Sequence, residues 1–276
     1  MTDIKSMYPQ ELSALMEALG EKAFRAKQLY SWLHEHMVLS YEDMANLPKS
    51  LKEKLKDYPI TGLKLVDEQI SAIDGTRKYL FGLADGNVIE SVLMRYRHGN
   101  SVCISSQVGC RMGCRFCAST IGGLTRNLTA SEMLEQIYRI QALTGERVAN
   151  VVVMGTGEPL DNYDNLLRFI HILTGEGGQH ISQRNITVST CGLVPNMYEL
   201  AKEKLQITLA LSLHAPNDEK RRELMPIARR YTMDEVLAAC ENYFKETGRR
   251  LTFEYSLVAG VNDGDEDARQ LAKRIH

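Results

Sequence analysis

The sequence predicts an α/β fold: a partial (β/α) barrel with an N-terminal helical domain and a small antiparallel β extension. After residue 99, apolar strands alternate with helices, which implies parallel strands joined by right-handed crossovers. Between residues 61 and 98 the apolar period is two, and Asp74-Gly75 and Asp85-Gly86 are strong hairpin turns. Before residue 60 the apolar residues recur at helical spacing. These patterns divide the chain into residues 1–60, 61–98 and 99–276.

The first segment is interpreted as a compact helical domain of RNA-binding type. Apolar residues from Leu12 to Leu19 form one helical stripe, which Gly20 ends. A second helix is predicted from Phe24 to His36, and two shorter ones lie on either side of Pro48. Four lysines lie near the C-terminal end of this segment, and they form either a solvated face or an RNA contact. They are Lys49, Lys52, Lys54 and Lys56.

The remaining elements follow from the same periodicities. Ribbon strands are predicted at Leu63–Val66, Arg77–Phe81 and Asn87–Leu93. Barrel strands are predicted at Ser101–Val108, Val148–Met154, Arg184–Thr190, Gln206–Leu213 and Leu251–Val258. Helices are predicted at Thr129–Thr144, Tyr163–Leu173, Asn196–Lys204, Asp218–Leu224, Thr232–Thr247 and from Asp265 onward.

Composition limits the function classes. Hydrophobic residues make up 44% of the chain and charged residues 25%, which is ordinary for a globular domain. The formal net charge of −2 gives no general attraction to nucleic acid, so any such contact depends on local charge. The sequence has no apolar run long enough to span a bilayer, so no membrane partner is expected.

Three cysteines carry the strongest signal. Cys110, Cys114 and Cys117 have the spacing C-x3-C-x2-C directly after a predicted strand. Thiolates select soft metals and are the usual ligands of iron–sulfur clusters. Three ligands suit a 4Fe-4S cluster with one iron left open to a small molecule. A structural zinc site is the alternative, with Cys103 or His98 as its fourth ligand.

Polar or glycine-rich groups stand at the end of each predicted barrel strand. In parallel sheets and barrels, ligands bind at the carboxyl ends of the strands. The pattern therefore predicts one ligand site at this rim. Its groups are the cysteine loop, Gly155 to Pro159, Ser189 to Gly192, Ser212 to His214, and Glu254 with Val261 to Asp263.

The cysteine spacing, with Phe116 before the last cysteine, resembles the radical S-adenosylmethionine (SAM) superfamily. Further motifs resemble the RlmN/Cfr family of RNA adenine methyltransferases, and Ala118-Ser119-Thr120 with Glu158-Pro159 favours the RlmN branch. The resemblance covers nearly the whole chain. Its motifs are Phe24-Arg-Ala-Lys-Gln28, Ser105-Ser-Gln-Val-Gly-Cys110, Met154-Gly-Thr-Gly-Glu-Pro-Leu160, Ser189-Thr190, Leu211-Ser-Leu-His-Ala215 and Gly260-Val-Asn-Asp263.

The resemblance implies a cytoplasmic methyltransferase with a 4Fe-4S cluster and SAM as cofactors. Its substrates are adenosines in the peptidyl-transferase centre of 23S rRNA and beside the tRNA anticodon. The RlmN branch methylates adenine C2, and the Cfr branch, the alternative, methylates C8. Because C2 is a poor nucleophile, a methyl group passes first to a protein cysteine, and a 5'-deoxyadenosyl radical then activates it. An external donor of flavodoxin or ferredoxin type supplies electrons, and the enzyme is expected to be a monomer.

The resemblance also assigns roles to individual residues. Cys110, Cys114 and Cys117 match the cluster ligands, Glu90 the general base, and Cys103 the cysteine that resolves the methyl carrier by forming a disulfide. Without the resemblance, Cys103 would be interpreted as a small buried apolar residue. His214 contacts ribose or adenine, or is a structural histidine. The positions that match cofactor contacts are Gly157, Glu158, Ser189, Ser212, Leu213, His214 and Asn262.

The chain departs from the family pattern in two places. Thr156 stands where the family usually has methionine. The methyl-carrying cysteine of the family lies beyond the position of Asn262, and neither Cys191 nor Cys240 matches it, so the barrel is expected to lack its last strand and C-terminal loop. We therefore expect this chain to bind cluster and SAM without completing methyl transfer. The alternatives are a radical SAM enzyme with another substrate and a non-catalytic Fe–S or RNA-binding module.

Adenine C2 must leave the base stack to reach a buried radical, so the target base is expected to be flipped out. Basic residues near the predicted rim are candidates for phosphate contacts, with helix-surface charges as the alternative reading. They are Arg111, Arg115, Arg126, Lys220, Arg221, Arg222, Arg229 and Arg230.

Overall fold

The computed structural model describes residues 3–275 and confirms the α/β class. The chain forms two compact units. The first contains the described residues up to Ile104, together with Leu128–Asn150 and Asp164–Ser182. The second contains Ser105–Asn127, Val151–Tyr163 and the described residues from Gln183 onward. The division into residues 1–60, 61–98 and 99–276 stays a prediction from sequence pattern.

The helices of the first unit begin and end close to their predicted positions. Thr129 and Glu132 form a capping box at the start of α4, and Gly145 ends that helix in a left-handed conformation. The predicted helix at Tyr41–Leu47 is only a 3-10 turn, Tyr41–Asp43. The helices are α1 (Pro9–Ala18), α2 (Phe24–His34), α3 (Lys49–Lys54), α4 (Ala130–Thr144) and α5 (Tyr163–Thr174).

Four antiparallel strands complete the first unit, as the period of two predicts. They are β1 (Lys64–Ile70), β2 (Arg77–Gly82), β3 (Val88–Tyr96) and β4 (Gly99–Cys103). Each strand pairs with the next along the chain. Gly75 and Gly86 have positive φ angles of 70° and 86°, which explains the glycines in the two hairpin turns.

The strand predicted at Ser101–Val108 is two strands. β4 ends at Cys103, and a separate strand, β5 (Gln107–Gly109), pairs antiparallel with β6 (Leu124–Asn127). The sequence analysis did not predict β6, because four residues of mixed polarity carry almost no periodic signal.

The second unit contains parallel strands. They are β7 (Val148–Val153), of which Val151 to Val153 belong to this unit, β8 (Ile186–Thr190), β9 (Thr208–Ser212) and β10 (Leu251–Glu254), paired in that order. Its helices are α6 (Val194–Lys202), α7 (Asp218–Leu224), α8 (Met233–Thr247) and α9 (Asp265–Ile275). All four strands run in one direction, so their carboxyl ends lie at one edge.

β10 ends four residues before the predicted Val258. At its end, the carbonyl of Glu254 accepts hydrogen bonds from the N–H groups of Leu213 (3.0 Å) and His214 (3.2 Å). Between residues 3 and 275, no helix is both long and apolar enough to cross a membrane.

Candidate active site

The cysteine loop follows β5 and is held by backbone hydrogen bonds at both ends. The N–H of Cys110 donates to the carbonyl of Gly123 (3.0 Å), and the N–H of Cys117 donates to the carbonyl of Cys114 (3.1 Å). The hydroxyl of Thr120 also donates to the Cys117 carbonyl (2.9 Å). These hydrogen bonds within the protein therefore hold the cysteine loop in place.

The three predicted cluster cysteines line one cavity of about 250 Å³ in the second unit. All six cysteines, which lie within the described residues, are free thiols. Among residues 3–275, no three His, Cys, Asp or Glu side chains converge closely enough to bind a metal ion. Thiols that face one cavity without converging on a point fit a multi-iron cluster, in which each cysteine binds a different iron. This geometry does not support the zinc alternative with Cys103 or His98.

Burial governs the protonation of these thiols. It raises the pKa of Cys110, and it raises the pKa of Cys114 to about 12, with the neighbouring cysteines adding to the effect. A thiol with such a raised pKa stays protonated at neutral pH, and only a bound cation would make its thiolate stable. The donor set therefore suits a metal cluster and not a nucleophilic thiol.

Gly157 and Glu158 follow β7 and shape one wall of the cavity. Gly157 has φ of +109°, and a Cβ there would lie 2.6 Å from the Cβ of Gln107, so only glycine fits. The Glu158 carboxylate accepts hydrogen bonds from the N–H groups of Leu160 (3.1 Å) and Cys191 (2.8 Å). Burial nevertheless raises the pKa of Glu158, against these bonds. In this structure the Glu158 carboxylate fixes the loop after β7 and the turn at Cys191.

The hydroxyls of Ser189 and Ser212 meet at the ends of β8 and β9. Their oxygens are 3.3 Å apart, and both donate to the Glu254 carboxylate, over 2.8 Å and 3.1 Å. All three residues line the cavity. Because their protons point to Glu254, both hydroxyls present lone pairs as hydrogen-bond acceptors.

His214 also lines the cavity, at the end of β9. Its Nδ1 accepts a hydrogen bond from the N–H of Ser256 (3.0 Å), which leaves the proton of the neutral ring on Nε2. Burial lowers the pKa of His214, so the neutral form is favoured. Its ring packs edge-on against Phe116, with the centroids 4.9 Å apart. His214 is thus a hydrogen-bond donor through Nε2.

Two predicted cofactor contacts, Leu213 and Asn262, lie behind the cavity wall. Leu213 is fully buried, and its carbonyl accepts from the guanidinium of Arg221 (3.2 Å). The Asn262 side chain donates to the carbonyl of His214 (2.7 Å) and accepts from the N–H of Val258 (2.7 Å). Asn262 therefore fixes the backbone of His214 and the turn after β10 in this structure.

The predicted catalytic residues Glu90 and Cys103 belong to the first unit. Cys103 lies opposite Val92 in the β3–β4 register, and Glu90 is two residues from Val92 on β3. Side chains two apart share one face, so Glu90 and Cys103 are diagonal neighbours, roughly 7–8 Å apart. Glu90 forms an ion pair with Lys78 (2.5 Å) and is half-exposed.

Several predicted phosphate contacts are engaged elsewhere. Arg111 pairs with Asp161, and Lys220 pairs with Asp267 (2.6 Å). Arg221 is completely buried, so its interpretation as a phosphate contact is wrong. Arginine followed by further charged residues on a helix is usually solvated, and no sequence signal marked this one as buried. Arg126 is half-buried, and the exposed candidates are Arg111, Arg115, Arg222, Arg229 and Arg230.

Lysines near the C-terminal end of residues 1–60 also form ion pairs and hydrogen bonds within the protein. Lys54 pairs with Glu21 (2.7 Å), Lys56 pairs with Glu53 (2.6 Å), and Lys52 donates to the carbonyl of Glu42 (3.1 Å). These contacts are those of a solvated helix face.

Two residues of the site make contacts that the sequence did not predict. Glu254 was expected at this rim, but its hydrogen bonds with Ser189 and Ser212 were not. Gln107 accepts from the N–H of Glu158 (2.8 Å) and donates to Asn127 (2.8 Å) and Asp161 (3.0 Å), so it ties three segments together. A glutamine within an apolar strand was the only available signal.

Comparisons with known proteins agree with this geometry. Residues 104–272 match the profile of the radical SAM superfamily, and residues 2–60 match that of the ribosomal RNA large subunit methyltransferase N-terminal domain. A protein of Lachnospira eligens, named "Probable dual-specificity RNA methyltransferase RlmN", is 61% identical over 276 residues, which cover 100% of this chain and 79% of that protein. A protein of the same name from Lachnoclostridium phytofermentans is 59% identical over 274 residues, 99% of this chain and 77% of that protein.

The fold also matches a solved structure. The crystal structure of a radical SAM methyltransferase from Sphaerobacter thermophilus aligns with a TM-score of 0.94 at 44% identity, covering 100% of this chain and 82% of that chain. With the cysteine cavity and both profile matches in agreement, the chain belongs to the RlmN family of the radical SAM superfamily.

Proposed function

We propose that this protein is a SAM-dependent RNA methyltransferase that methylates C2 of adenosine in 23S rRNA and in tRNA. One observation carries the proposal: the three thiols and the polar strand-end groups line a single cavity. Family membership supplies the reaction class, because the relatives are named dual-specificity RNA methyltransferases.

Cys110, Cys114 and Cys117 would hold a 4Fe-4S cluster, and the strand-end groups would hold SAM. When bound, these groups supply the one-electron cleavage of SAM that generates a 5'-deoxyadenosyl radical. The chain itself positions and shields the reactants. Gly157 admits a close backbone approach, while Ser189 and Ser212 offer acceptor lone pairs suited to ribose hydroxyls.

His214 offers its Nε2 proton to an acceptor, such as an adenine nitrogen or a ribose oxygen. Leu213 and Asn262 complete the proposed contact set through the backbone of this turn. The hydrogen bond from Asn262 to the His214 carbonyl supports a positioning role for its side chain.

Glu90 would act as the base that removes the C2 proton, and Cys103 as the thiol that resolves the methyl carrier by disulfide formation. Their position on one face of the β3–β4 pair supports this assignment. Among the described residues, Cys103 forms no disulfide. The disulfide is therefore proposed as a transient catalytic state and not as a structural bond.

The RNA partners would bind through exposed arginines, with the target adenosine flipped out of its stack. An electron donor of flavodoxin or ferredoxin type would reduce the cluster. A monomer in the cytoplasm fits this role, because a reducing compartment keeps six cysteines as free thiols.

The reaction class is tested by SAM cleavage in the anaerobically reconstituted and reduced chain. Chromatography should detect 5'-deoxyadenosine, and Cys114→Ser should abolish its formation. The exposed-surface substitution Lys202→Gln is a control that should leave cleavage unchanged. Absence of 5'-deoxyadenosine from a protein that holds its cluster and binds SAM would contradict the proposal.

The position of methylation is tested in cells. Deleting the gene that encodes this chain should remove 2-methyladenosine from 23S rRNA and tRNA, as measured by nucleoside mass spectrometry. Loss of 8-methyladenosine with 2-methyladenosine unchanged would favour the Cfr reaction instead.

A further inference from the structure

Arg221, on α7, is the largest fully buried side chain in the part of the chain that the structure describes. Its guanidinium donates to three backbone carbonyls: Leu213 (3.2 Å), Cys191 (2.7 Å) and Ser212 (3.2 Å). These carbonyls belong to the ends of β8 and β9, where the cavity lies. Its third nitrogen, Nη1, has no hydrogen-bond partner among the described residues.

The charge of this guanidinium is not balanced by a carboxylate. Within residues 3–275, Arg221 forms no ion pair, and all its hydrogen bonds are to carbonyls. Asp218 on the same helix interacts with it at longer range, but the Asp218 carboxylate accepts from the N–H of Met233 (2.8 Å). A buried charge without an ion partner is destabilising, and hydrogen bonds to neutral groups offset that cost only in part. An anion nearby would offset that cost.

The thiolates that would bind the cluster would supply such an anion. The Arg221 guanidinium donates to the carbonyl of Cys191, and Cys191 lines the same cavity as Cys110, Cys114 and Cys117. α7 is also tied directly to the cysteine loop, because the N–H of Arg115 donates to the carbonyl of Leu224 (2.9 Å). Cys114, Cys191 and Leu224 belong to one packed cluster of side chains.

We propose that Arg221 is the fixed counter-charge of the iron–sulfur cluster, a positioning residue that raises its reduction potential and helps to retain it. This inference rests on the proposed function, because it requires a cluster on Cys110, Cys114 and Cys117. Three thiolates give the cluster a net negative charge, and reduction adds one electron without breaking a bond. A buried cation stabilises the reduced state more than the oxidised state.

The experiment is a potentiometric titration of the anaerobically reconstituted protein, monitored by electron paramagnetic resonance. Arg221→Met and Arg221→Gln remove the charge, whereas Arg221→Lys keeps it. Arg269→Met removes a charge that is 69% exposed on α9 and serves as the control. Thermal unfolding of each apoprotein is measured in parallel, so that folding and cluster chemistry are separated.

We expect reduction to become at least tenfold less favourable in both neutral variants, a shift of about 59 mV to more negative potential. Iron content should also fall in these two variants. Arg221→Lys and Arg269→Met should keep the wild-type potential. The apoproteins of the neutral variants should fold but be less stable than wild type, because three backbone carbonyls lose their donor.

Neutral variants that hold the cluster at the wild-type potential would overturn the inference. Apoproteins of both neutral variants that fail to fold would also overturn it, because Arg221 would then act through its carbonyl contacts alone. A wild-type protein that takes up no iron would overturn the proposed function itself, and the inference with it.

Discussion

At the end of β10, the single carboxylate of Glu254 fixes two hydroxyls on neighbouring strands. Ser189 and Ser212 both donate to its Oε2, so their rotamers are set before any ligand arrives. Hydrogen bonds to an ionised acceptor are stronger than those between neutral groups. Glu254 therefore pre-organises two groups proposed to bind SAM, a role that its place at the predicted rim did not reveal.

Glu254→Gln should weaken binding of S-adenosylhomocysteine to the apoprotein about tenfold, the effect of one weakened charged hydrogen bond. The amide is isosteric, but its neutral oxygen is a weaker hydrogen-bond acceptor than a carboxylate oxygen. Isothermal titration calorimetry measures the change. Glu266→Gln, on α9 and 68% exposed, is the matched control. Equal affinities of wild type and Glu254→Gln for S-adenosylhomocysteine would show that binding does not depend on a charged acceptor for the two serine hydroxyls.

Sequence reasoning found those site residues whose type and place are both distinctive. A C-x3-C-x2-C loop and a glycine after a buried strand can be recognised before the fold is known. The contacts that give Glu254 and Arg221 their roles could not be predicted in this way. Their roles depend on contacts with other strands and on complete burial, and each stands among ordinary charged residues.

Among the elements, the β5–β6 pair holds the cysteine loop. Gly109 has φ of +74°, and a Cβ there would lie 1.9 Å from the carbonyl oxygen of Gly123. That oxygen also accepts the hydrogen bond from the N–H of Cys110. Close backbone approach at Gly109 thus sets the position of the first cluster cysteine.

Gly109→Ala should lower the iron content of the reconstituted protein severalfold, because the two strands must separate to admit a methyl group. The positive φ alone adds about 1–3 kcal/mol of strain for a residue with a side chain. Iron analysis and thermal unfolding measure the two effects.

Gly122→Ala is the control for Gly109→Ala. It lies in the same hairpin region, where an added Cβ meets no atom within 4 Å. Wild-type iron content in Gly109→Ala would show that the β5–β6 pair does not determine the cysteine geometry.

α7 and the turn that follows it present the exposed arginines Arg222 and Arg229. The double variant Arg222→Gln/Arg229→Gln should weaken RNA binding and flatten its salt dependence. Each lost phosphate contact on a single strand lowers the slope of log K against log salt by roughly 0.7. Fluorescence anisotropy over a salt series measures the slope.

Lys245→Gln with Lys202→Gln removes the same charge from exposed helix faces elsewhere and is the control for the arginine pair. An unchanged slope in the arginine variant would place the RNA on another surface.

The longer elements were predicted well because their apolar period extends over several turns or a whole strand. α4 and α8 also carry capping boxes, formed by Thr129 with Glu132 and by Thr232 with Glu235. The short elements were not predictable in the same way. β4, β5 and β6 each have five residues or fewer, and long-range pairing decides where they begin.

For the molecule as a whole, one buried histidine gives stability a distinct pH dependence. His34 is fully buried in the first unit; its Nδ1 lies 3.0 Å from the Tyr138 hydroxyl, and its Nε2 has no partner among the described residues. Burial, with repulsion from Lys5, lowers the pKa of His34 to about 3. The unfolded chain therefore binds a proton that the folded chain does not, at any pH between that value and the ordinary 6.5.

At a pH above the pKa that His34 has in the unfolded chain, this residue should not lower the free energy of unfolding. As the pH falls from there towards the pKa in the folded protein, the free energy of unfolding should decrease. The loss is roughly 1.4 kcal/mol per pH unit. His34→Gln should remove this contribution and flatten the dependence of the unfolding free energy between about pH 6 and pH 4. Urea denaturation at several pH values measures the slope.

Tyr138→Phe is the control, because it removes the hydrogen bond and keeps the histidine. Its overall stability should fall by about 1 kcal/mol, with the acid slope retained. An identical slope in wild type and His34→Gln would show that another group governs acid unfolding.

The α/β class and the parallel order of the strands from β7 to β10 could be predicted because strand and helix patterns alternate strictly there. The two compact units could not be predicted from the sequence. Segments far apart in the chain, such as the N-terminal helices and Leu128–Asn150, share one unit through side-chain contacts such as the buried Lys5–Glu135 pair.

The central claim is that one cavity holds both an iron cluster and SAM. The most direct measurement is electron paramagnetic resonance of the anaerobically reconstituted, dithionite-reduced protein with and without SAM. We expect about four irons per chain and a 4Fe-4S signal that changes when SAM binds the open iron. A protein that takes up zinc instead of iron, or a cluster signal that SAM leaves unchanged, would contradict the account.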